Sequence, residues 1–255
     1  MNVSIITITF NPGALFDRTV QSILSQTCTD FEFLVIDGKS TDGTPEKVQH
    51  YVPLFQEKGI KVRWISEPDE GIYDAMNKGL KLAAGNYVWF MNAGDIIAGP
   101  TILEDLLSSI SSDKTSPDLI YGETLIVDDN GTVMGERRLK APQNLTWKSF
   151  RMGMLVCHQS MLVKRTLAPE YNLNYRYSSD FEWTIRCLKK ASNIHNTGLV
   201  LAHFLDGGVS KKKMRASLKE RFNIMAHYYG WLPTVFRHLW FVCRAAWFKL
   251  FHGWI

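Results

Sequence analysis

Asn92 and Asp95 close the segment Tyr87-Val-Trp-Phe-Met-Asn-Ala-Gly-Asp95, an apolar run that stops abruptly at polar residues. In open α/β sheets ligands sit beyond the carboxyl ends of the strands, where such an acid would lie. A single carboxylate suits Mg²⁺ or Mn²⁺, which are held by one or two carboxylates together with water and substrate phosphates. Asp37 ends another apolar run, Phe31–Ile36. It can accept hydrogen bonds from a base N–H or a ribose hydroxyl, or serve as turn former in Asp-Gly-Lys-Ser-Thr-Asp-Gly43. Asp180, in Tyr177-Ser-Ser-Asp-Phe-Glu-Trp183, falls in the first turn of a predicted helix that Ser178 or Ser179 can cap. Negative charge is favoured there, and a carboxylate so placed can face a cleft and take a proton. Glu182 lies on another face of the same helix and is the lesser candidate base. His158, in Cys157-His-Gln-Ser160, is either a ligand contact or a hydrogen-bonded structural residue. His203, near Asp206-Gly-Gly208, is a candidate metal or phosphate contact.

Two phosphate-binding patterns are missing. A dinucleotide site needs G-x-G-x-x-G after the first strand, but Phe10-Asn-Pro-Gly-Ala-Leu15 has one glycine. The G-x-x-x-x-G-K-[ST] loop is absent as well. A nucleotide diphosphate on this sheet would need another source of positive charge, and a cation on Asp95 supplies it.

The elements that would position these residues follow from periodicity. Strands are predicted at Val3–Phe10, Phe31–Ile36, Lys61–Ile65 and Tyr87–Met91, and helices at Leu15–Gln26, Thr44–Phe55 and Gly71–Ala83. Thr44 is the expected N-cap of its helix, with Pro45 at the first helical position. Strands alternating with helices of this length imply right-handed crossovers and a mostly parallel sheet with helices on both faces. After a helix from Pro100 to about Ile110 the pattern changes. Leu119–Tyr121, Thr124–Val127 and Val133–Arg137 suggest a strand and a hairpin turning at Asn130-Gly131. Ser179–Lys190 is a predicted helix, Ile194–Phe204 a loose alternation, and Leu145–Met154 has no clear period. The expected organisation is a donor-binding half, 1–98, joined without a linker to an acceptor-binding half, 99–210, with a helical tail, 211–255.

The net charge of +4 hides an asymmetry. Residues 211–255 hold nine Lys/Arg and one acid, Glu220, whereas the other 210 residues hold 20 basic and 24 acidic groups. Trp240, Trp247 and Trp254 are spaced by seven. Tryptophan with basic residues suits a membrane interface, while Arg237, Arg244 and Lys249 argue against a span. Packing of the tail on the protein's own core is the alternative. The acidic body argues against nucleic acid as a partner. No secretory signal pattern precedes Val3, and the four cysteines lack metal-ligand spacing, so a cytoplasmic protein with reduced thiols is expected.

Taken in order, Val3–Asn11, Asp37–Gly43, Ser66–Gly79, Met91–Asp95, Cys157–Ser160 and Ser179–Trp183 resemble the family 2 glycosyltransferases of GT-A fold. The likeness is to bacterial members that build capsule, lipopolysaccharide or exopolysaccharide. It implies an inverting transfer from a nucleotide diphosphate sugar, with UDP the usual carrier, to a hydroxyl of a saccharide or lipid-linked saccharide acceptor. It makes Asp180 the base, Asp95 the ligand of a divalent cation and Asp37 the contact to the donor's base. Thr9, Asn11, Ser40, Asp69, Asp74, Asn77, Lys78, Asn92, Ala93 and Gly94 follow as donor contacts, with Gln159 beside His158 as a further polar group. Two departures stand out: Gly94 precedes Asp95, leaving one metal carboxylate, and Met76 stands where many members have Arg. The expected place of work is the cytoplasmic face of the inner membrane. A nucleotidyltransferase acting on a sugar phosphate, or a non-catalytic nucleotide-sugar binding protein at the membrane, are the alternative functions.

Overall fold

The computed structural model describes residues 2–110, 116–207 and 213–252, and in the last helix it describes side chains as far as residue 244. Strand β1 (Val3–Thr9) lies at the centre, buried along its whole length. It pairs in parallel with β2 (Phe31–Asp37) on one side and β4 (Tyr87–Phe90) on the other, while β3 (Lys61–Ser66) extends the sheet beyond β2. The chain therefore works outward from β1 to β3 and then crosses back to β4. The reversal leaves a crevice between the carboxyl ends of β1 and β4.

Side-chain alternation fills both faces of this sheet. Ile6, Ile8, Leu34, Ile36, Val88 and Phe90 point to one core, and Ile5, Phe33, Val35, Tyr87 and Trp89 point to the other. Helix α3 (Ile72–Leu82) covers the first face, together with α5 (Ser179–Lys190) and α6 (Met214–Tyr229). Helices α1 (Leu15–Leu24), α2 (Thr44–Glu57) and α4 (Ile102–Ile110) cover the second. Gly79 lets α3 lie directly on β1, since a Cβ there would come within 2.6 Å of Ile6.

Beyond β4 the sheet becomes mixed. Strand β8 (Met161–Lys164) runs antiparallel between β4 and β6 (Leu119–Val127), β9 (Ile194–Leu205) lies parallel to β6, and β5 (Ile96–Ile97) caps the far edge. The two strands expected at 119–121 and 124–127 are one strand with register shifts around Gly122. A Cβ at Gly122 would lie 2.4 Å from the Leu199 carbonyl, so only glycine allows the two strands to stay paired there. The expected hairpin is present, with β7 (Val133–Glu136) returning along β6. The segment without a clear period contains a 3₁₀ helix, Trp147–Met152, closed by a capping box between Thr146 and Ser149.

Helix α2 starts one residue earlier than expected. Gly43 occupies the N-cap with φ 86°, and Asp42 supplies the cap by accepting bonds from the Thr44 N–H and hydroxyl. The tail folds as two helices, α6 and α7 (Trp231–His252), which pack together across Gly230. Of the cationic cluster at 211–215, the first two lysines lie outside the described residues, as do the side chain of Trp247 and all of Trp254.

Glu32, buried inside the sheet edge, ties three segments together. It accepts bonds from the Ser4 hydroxyl, the Ala84 and Gly85 N–H groups, and Arg63. Burial alone would raise its pKa, but these donors outweigh burial and hold it below the usual range. The contribution to stability is thus present at neutral pH and lost as pH falls through that lowered value. Glu32→Ala should cost about 3 kcal/mol in urea unfolding at neutral pH, because it strands buried donors and a guanidinium. A loss below about 1 kcal/mol would mean that the donors find other partners.

Candidate active site

A cavity of about 590 Å³ opens past the carboxyl end of β4, between the starts of α3 and α5, the end of β9 and helix α6. Among the residues the sequence singles out, it gathers Asn92, Ala93, Asp95, His158, Gln159 and Asp180. The acids of the β4 end and of the α5 start, 85 positions apart in the chain, therefore share one cavity. Tyr73, Arg137, Asp206 and Arg221 also line it, and sequence reasoning gave none of these four a role.

Asp95 is only 4% exposed. Its carboxylate accepts bonds from Gln159 Nε2 (2.8 Å) and from the Leu205 N–H (3.1 Å). Burial pushes its pKa up to about 7, against the opposing pull of those two donors and of Arg18. The loop that carries it is pinned from α1. Thr19 Oγ1 accepts from the Gly94 N–H and donates to the Asp95 carbonyl, and the Arg18 guanidinium donates to the Gly94 carbonyl. Gly94 has φ 106°, and a Cβ there would strike Leu205 at 2.7 Å. The absence of an adjacent second acid thus follows from the backbone, whose positive φ at this position favours glycine.

Asn92 Oδ1 is buried without a partner beside Asp95. A carboxylate plus an unpaired amide oxygen is an oxygen donor set that fits Mg²⁺ or Mn²⁺, with substrate and water completing the shell. No cluster of three metal-ligating side chains occurs among the described residues. His203 pairs by backbone with Ile96 and is not in the cavity lining, so it is not placed to be a ligand there.

Asp180 stands in the first turn of α5, as expected. Its Oδ1 accepts from the Tyr73 hydroxyl (3.0 Å) and the Phe181 N–H (2.9 Å). Burial, then the neighbouring Asp180 charge, raise the Tyr73 pKa well above that of a free phenol, so Tyr73 remains a donor. Ser178 occupies the N-cap, yet its hydroxyl bonds Ser217 of α6 and leaves the helix uncapped by a side chain. Glu182 faces away, held by Arg186 and the Tyr228 hydroxyl, and cannot serve as the base.

His158 is buried, and burial pushes its pKa down to about 4, so the ring is neutral. Its Nε2 lies 2.7 Å from the Tyr171 hydroxyl, while Nδ1 has no partner. The phenol has no other acceptor among the described residues, so it donates to Nε2. The remaining ring proton is then on Nδ1, free to donate to a ligand. Arg221 of α6 likewise has a buried Nε without a partner, and Arg137 donates to the Met154 and Leu155 carbonyls.

The other expected donor contacts are used within the protein. Asp37 is fully buried, and its carboxylate accepts from the Ser40 N–H and hydroxyl and from Ser66 Oγ. Ser40 Oγ also accepts from the Asn11 N–H, and Asn11 Oδ1 from the Thr41 N–H, so Asn11, Asp37 and Ser40 form one network at the ends of β1 and β2. Thr9 Oγ1 is buried there without a partner. Asn77 does not face the crevice: its amide clamps the Tyr171 backbone at both N–H and carbonyl. Lys78 is spent on Asp69, Glu67 and Asp74, and Asp74 also accepts from the Glu70 N–H.

The family profile described as glycosyl transferase family 2 matches residues 4–168. The chain belongs to that family. It is 34% identical over 191 residues to a PGL/p-HBAD biosynthesis glycosyltransferase of Mycobacterium bovis, covering 72% of this chain and 68% of the relative. A putative teichuronic acid biosynthesis glycosyltransferase, TuaG of Bacillus subtilis, is 26% identical over 223 residues, covering 86% of each. Among solved structures, S. aureus TarS 1-349 in complex with UDP-GlcNAc superposes with TM-score 0.71 at 19% identity, over 99% of this chain and 76% of that one. The mannosyltransferase PcManGT of Pyrobaculum calidifontis, solved with GDP-Man and Mn²⁺, gives TM-score 0.64 at 14% identity, over 98% and 81%. The expected α/β GT-A architecture is therefore the one found, and the protein is a glycosyltransferase of glycan biosynthesis. Membership of family 2 sets aside the nucleotidyltransferase alternative.

Unfolding returns Asp95 to the ordinary carboxylate range, so between about pH 4 and 7 the native glycosyltransferase holds a proton that the unfolded chain lacks. Stability from this group is full at low pH and falls as pH rises through about 7. In chelator, the stability of Asp95→Asn relative to wild type, read by urea unfolding, should therefore be greater at about pH 8 than at about pH 5, by at most ~3 kcal/mol. An equal difference at the two pH values would show that Asp95 titrates like an exposed acid.

Proposed function

We propose that this glycosyltransferase moves a sugar, with inversion, from a nucleotide diphosphate sugar to a hydroxyl of a saccharide acceptor in surface polysaccharide assembly. The observation that carries the proposal is the cavity shared by Asp95 and Asp180. Residues 1–98 form the donor half and 99–210 the acceptor half of one domain. A UDP-linked donor agrees with the UDP-GlcNAc complex of TarS, and a lipid-linked acceptor agrees with the exposed apolar Met214 and Leu218 at the cavity wall.

Asp180 removes the proton as the acceptor oxygen attacks the anomeric carbon. The bond from that carbon to the diphosphate oxygen breaks on the opposite face, and the nucleoside diphosphate leaves with the electron pair. Tyr73 holds Asp180 in one orientation through its hydroxyl. His158 Nδ1–H and the Arg221 guanidinium offer donors to the diphosphate or sugar. Asp95 and Asn92 would hold Mg²⁺ or Mn²⁺, which as a Lewis acid offsets charge on the leaving diphosphate. Non-catalytic nucleotide-sugar binding, the other alternative, would fit loss of either acid, and both are present.

Asp180→Asn should lower turnover by about 10²–10⁴ while donor binding stays at the wild-type level. Nucleoside diphosphate release, screened over nucleotide sugars with a lipid-linked acceptor, measures it, and a wild-type rate in the variant rules out Asp180 as the base. Asp95→Ala should abolish the Mn²⁺-dependent part of nucleotide binding by calorimetry. Binding that is equally strong with and without Mn²⁺ in the wild type would refute the cation assignment.

A further inference from the structure

Helix α7 has two faces. At about 3.6 residues per turn, Thr234, His238 and Phe241 fall on one side, and that side meets the protein. Thr234 is buried, Phe241 packs on the core and His238 packs against Phe222 of α6. The opposite side presents Leu232, Phe236 and Leu239 along its middle. Trp231 and Val242 lie toward one edge, with Trp240 at the other. Trp240 is 45% exposed and the other five are 58–68% exposed. Isolated apolar side chains on a surface need no explanation, but a continuous stripe marks an interaction surface.

The charge around this stripe identifies its occupant. Just past Trp240, at about 40° and 60° around the helix, come Arg244 and Arg237, and the Arg244 guanidinium sits 4.5 Å from the Trp240 ring centre. With nine basic residues against one acid in 211–255, two tails facing each other would repel, whereas an anionic surface would attract them. Two leucines and a phenylalanine in the middle, a tryptophan at each edge and arginines beyond one of them match the depth profile of a bilayer interface. No helix among the described residues is long and apolar enough to cross a membrane, so the fitting geometry is a helix lying in the surface plane.

We propose that the outward face of α7 docks the protein on an anionic phospholipid surface. Leu232, Phe236 and Leu239 enter the acyl boundary, and Trp231 and Trp240 stay at headgroup depth. Helix α6, packed on α7, also lines the catalytic cavity through Met214, Ser217, Leu218 and Arg221. The docking face and one cavity wall thus belong to a single helical hairpin, which holds the cavity at a set position relative to a lipid-borne acceptor. This last consequence rests on the proposed lipid-linked acceptor, while the docking itself does not.

The test is flotation of the full chain with vesicles of phosphatidylglycerol and phosphatidylcholine, against phosphatidylcholine alone. The wild type should float with the mixed vesicles and be released by high salt. The triple variant Leu232→Ser, Phe236→Ser, Leu239→Ser should bind at least ~10-fold more weakly. Should that variant misfold, quenching by phospholipids brominated on their acyl chains gives an independent reading. Quenching of wild-type tryptophan emission should fall in Trp231→Phe, Trp240→Phe, and quenching unchanged by that variant would overturn the proposal. The proposal is overturned if the wild type stays unbound to both vesicles, or if light scattering shows a dimer that only the triple variant abolishes. Sugar transfer by the triple variant to a water-soluble acceptor should match wild type, so a failure of docking leaves the transferase assignment standing. Vesicle binding by a wild type that transfers no sugar would support docking and defeat only that assignment.

Discussion

Asp95 is a carboxylate buried against its own charge, and the rest of the site is arranged around that constraint. Its two hydrogen bonds reach Gln159 and Leu205, which lie on a 3₁₀ turn and at the end of β9. Its loop is held from α1 by Arg18 and Thr19. Three distant segments therefore meet at the loop of one acid, and each is fixed by the requirement that a buried acceptor be satisfied. The donors do not compensate fully, since the pKa still rises to about 7. A core residue that stabilised the fold would carry no such penalty. An acid that keeps it fits the proposed cation, whose positive charge would remove it.

The first 98 residues were legible because each change of period coincides with a change of element. The odd and even positions of β1, β2 and β4 each feed a separate core, so hydrophobic runs there could only be strands covered on both faces. The second half was less legible for a physical reason. β8 has four residues, too few for any period, and owes its extended form to the strands it joins; the two-residue β5 at the end of the first half went unseen for the same reason. Gly122 concealed the continuity of β6, because a glycine in a strand marks either a break or a close contact, and here it is the contact.

The site divides in the same way. Asn92, Asp95 and Asp180 could be found because acids just past strands or in first helical turns stand out by position. Tyr73, Arg137 and Arg221 could not, since each is an ordinary residue within or beside its element until the fold brings it to the cavity. Asn77 was misplaced although a signal existed. It follows Tyr73 by four residues on the buried side of α3, where an amide must find a partner inside the protein, and Tyr171 is that partner. In the tail, the tryptophan spacing pointed to a helix but not to the centre of its exposed apolar face. The stripe of Trp240 is an edge of the apolar face, so Arg237 and Arg244 sit beside that face and need not snorkel across it.

The atoms left without partners define the ligand's chemistry more narrowly than the cavity's shape does. Asn92 Oδ1, His158 Nδ1 and Arg221 Nε come from three segments, line one cavity and are buried without partners. Buried polar groups in folded proteins are almost always paired, so three such atoms around one cavity call for a polar occupant. Neutral His158 and Arg221 can only donate, which asks for anionic or hydroxyl oxygens. Asn92 Oδ1 can only accept, which asks for a cation or an O–H. A single neutral saccharide would satisfy the hydroxyl-seeking groups and leave the guanidinium undercompensated. A diphosphate alone would satisfy the donors and repel Asp95. The proposed nucleotide diphosphate sugar with a cation would answer both demands at once.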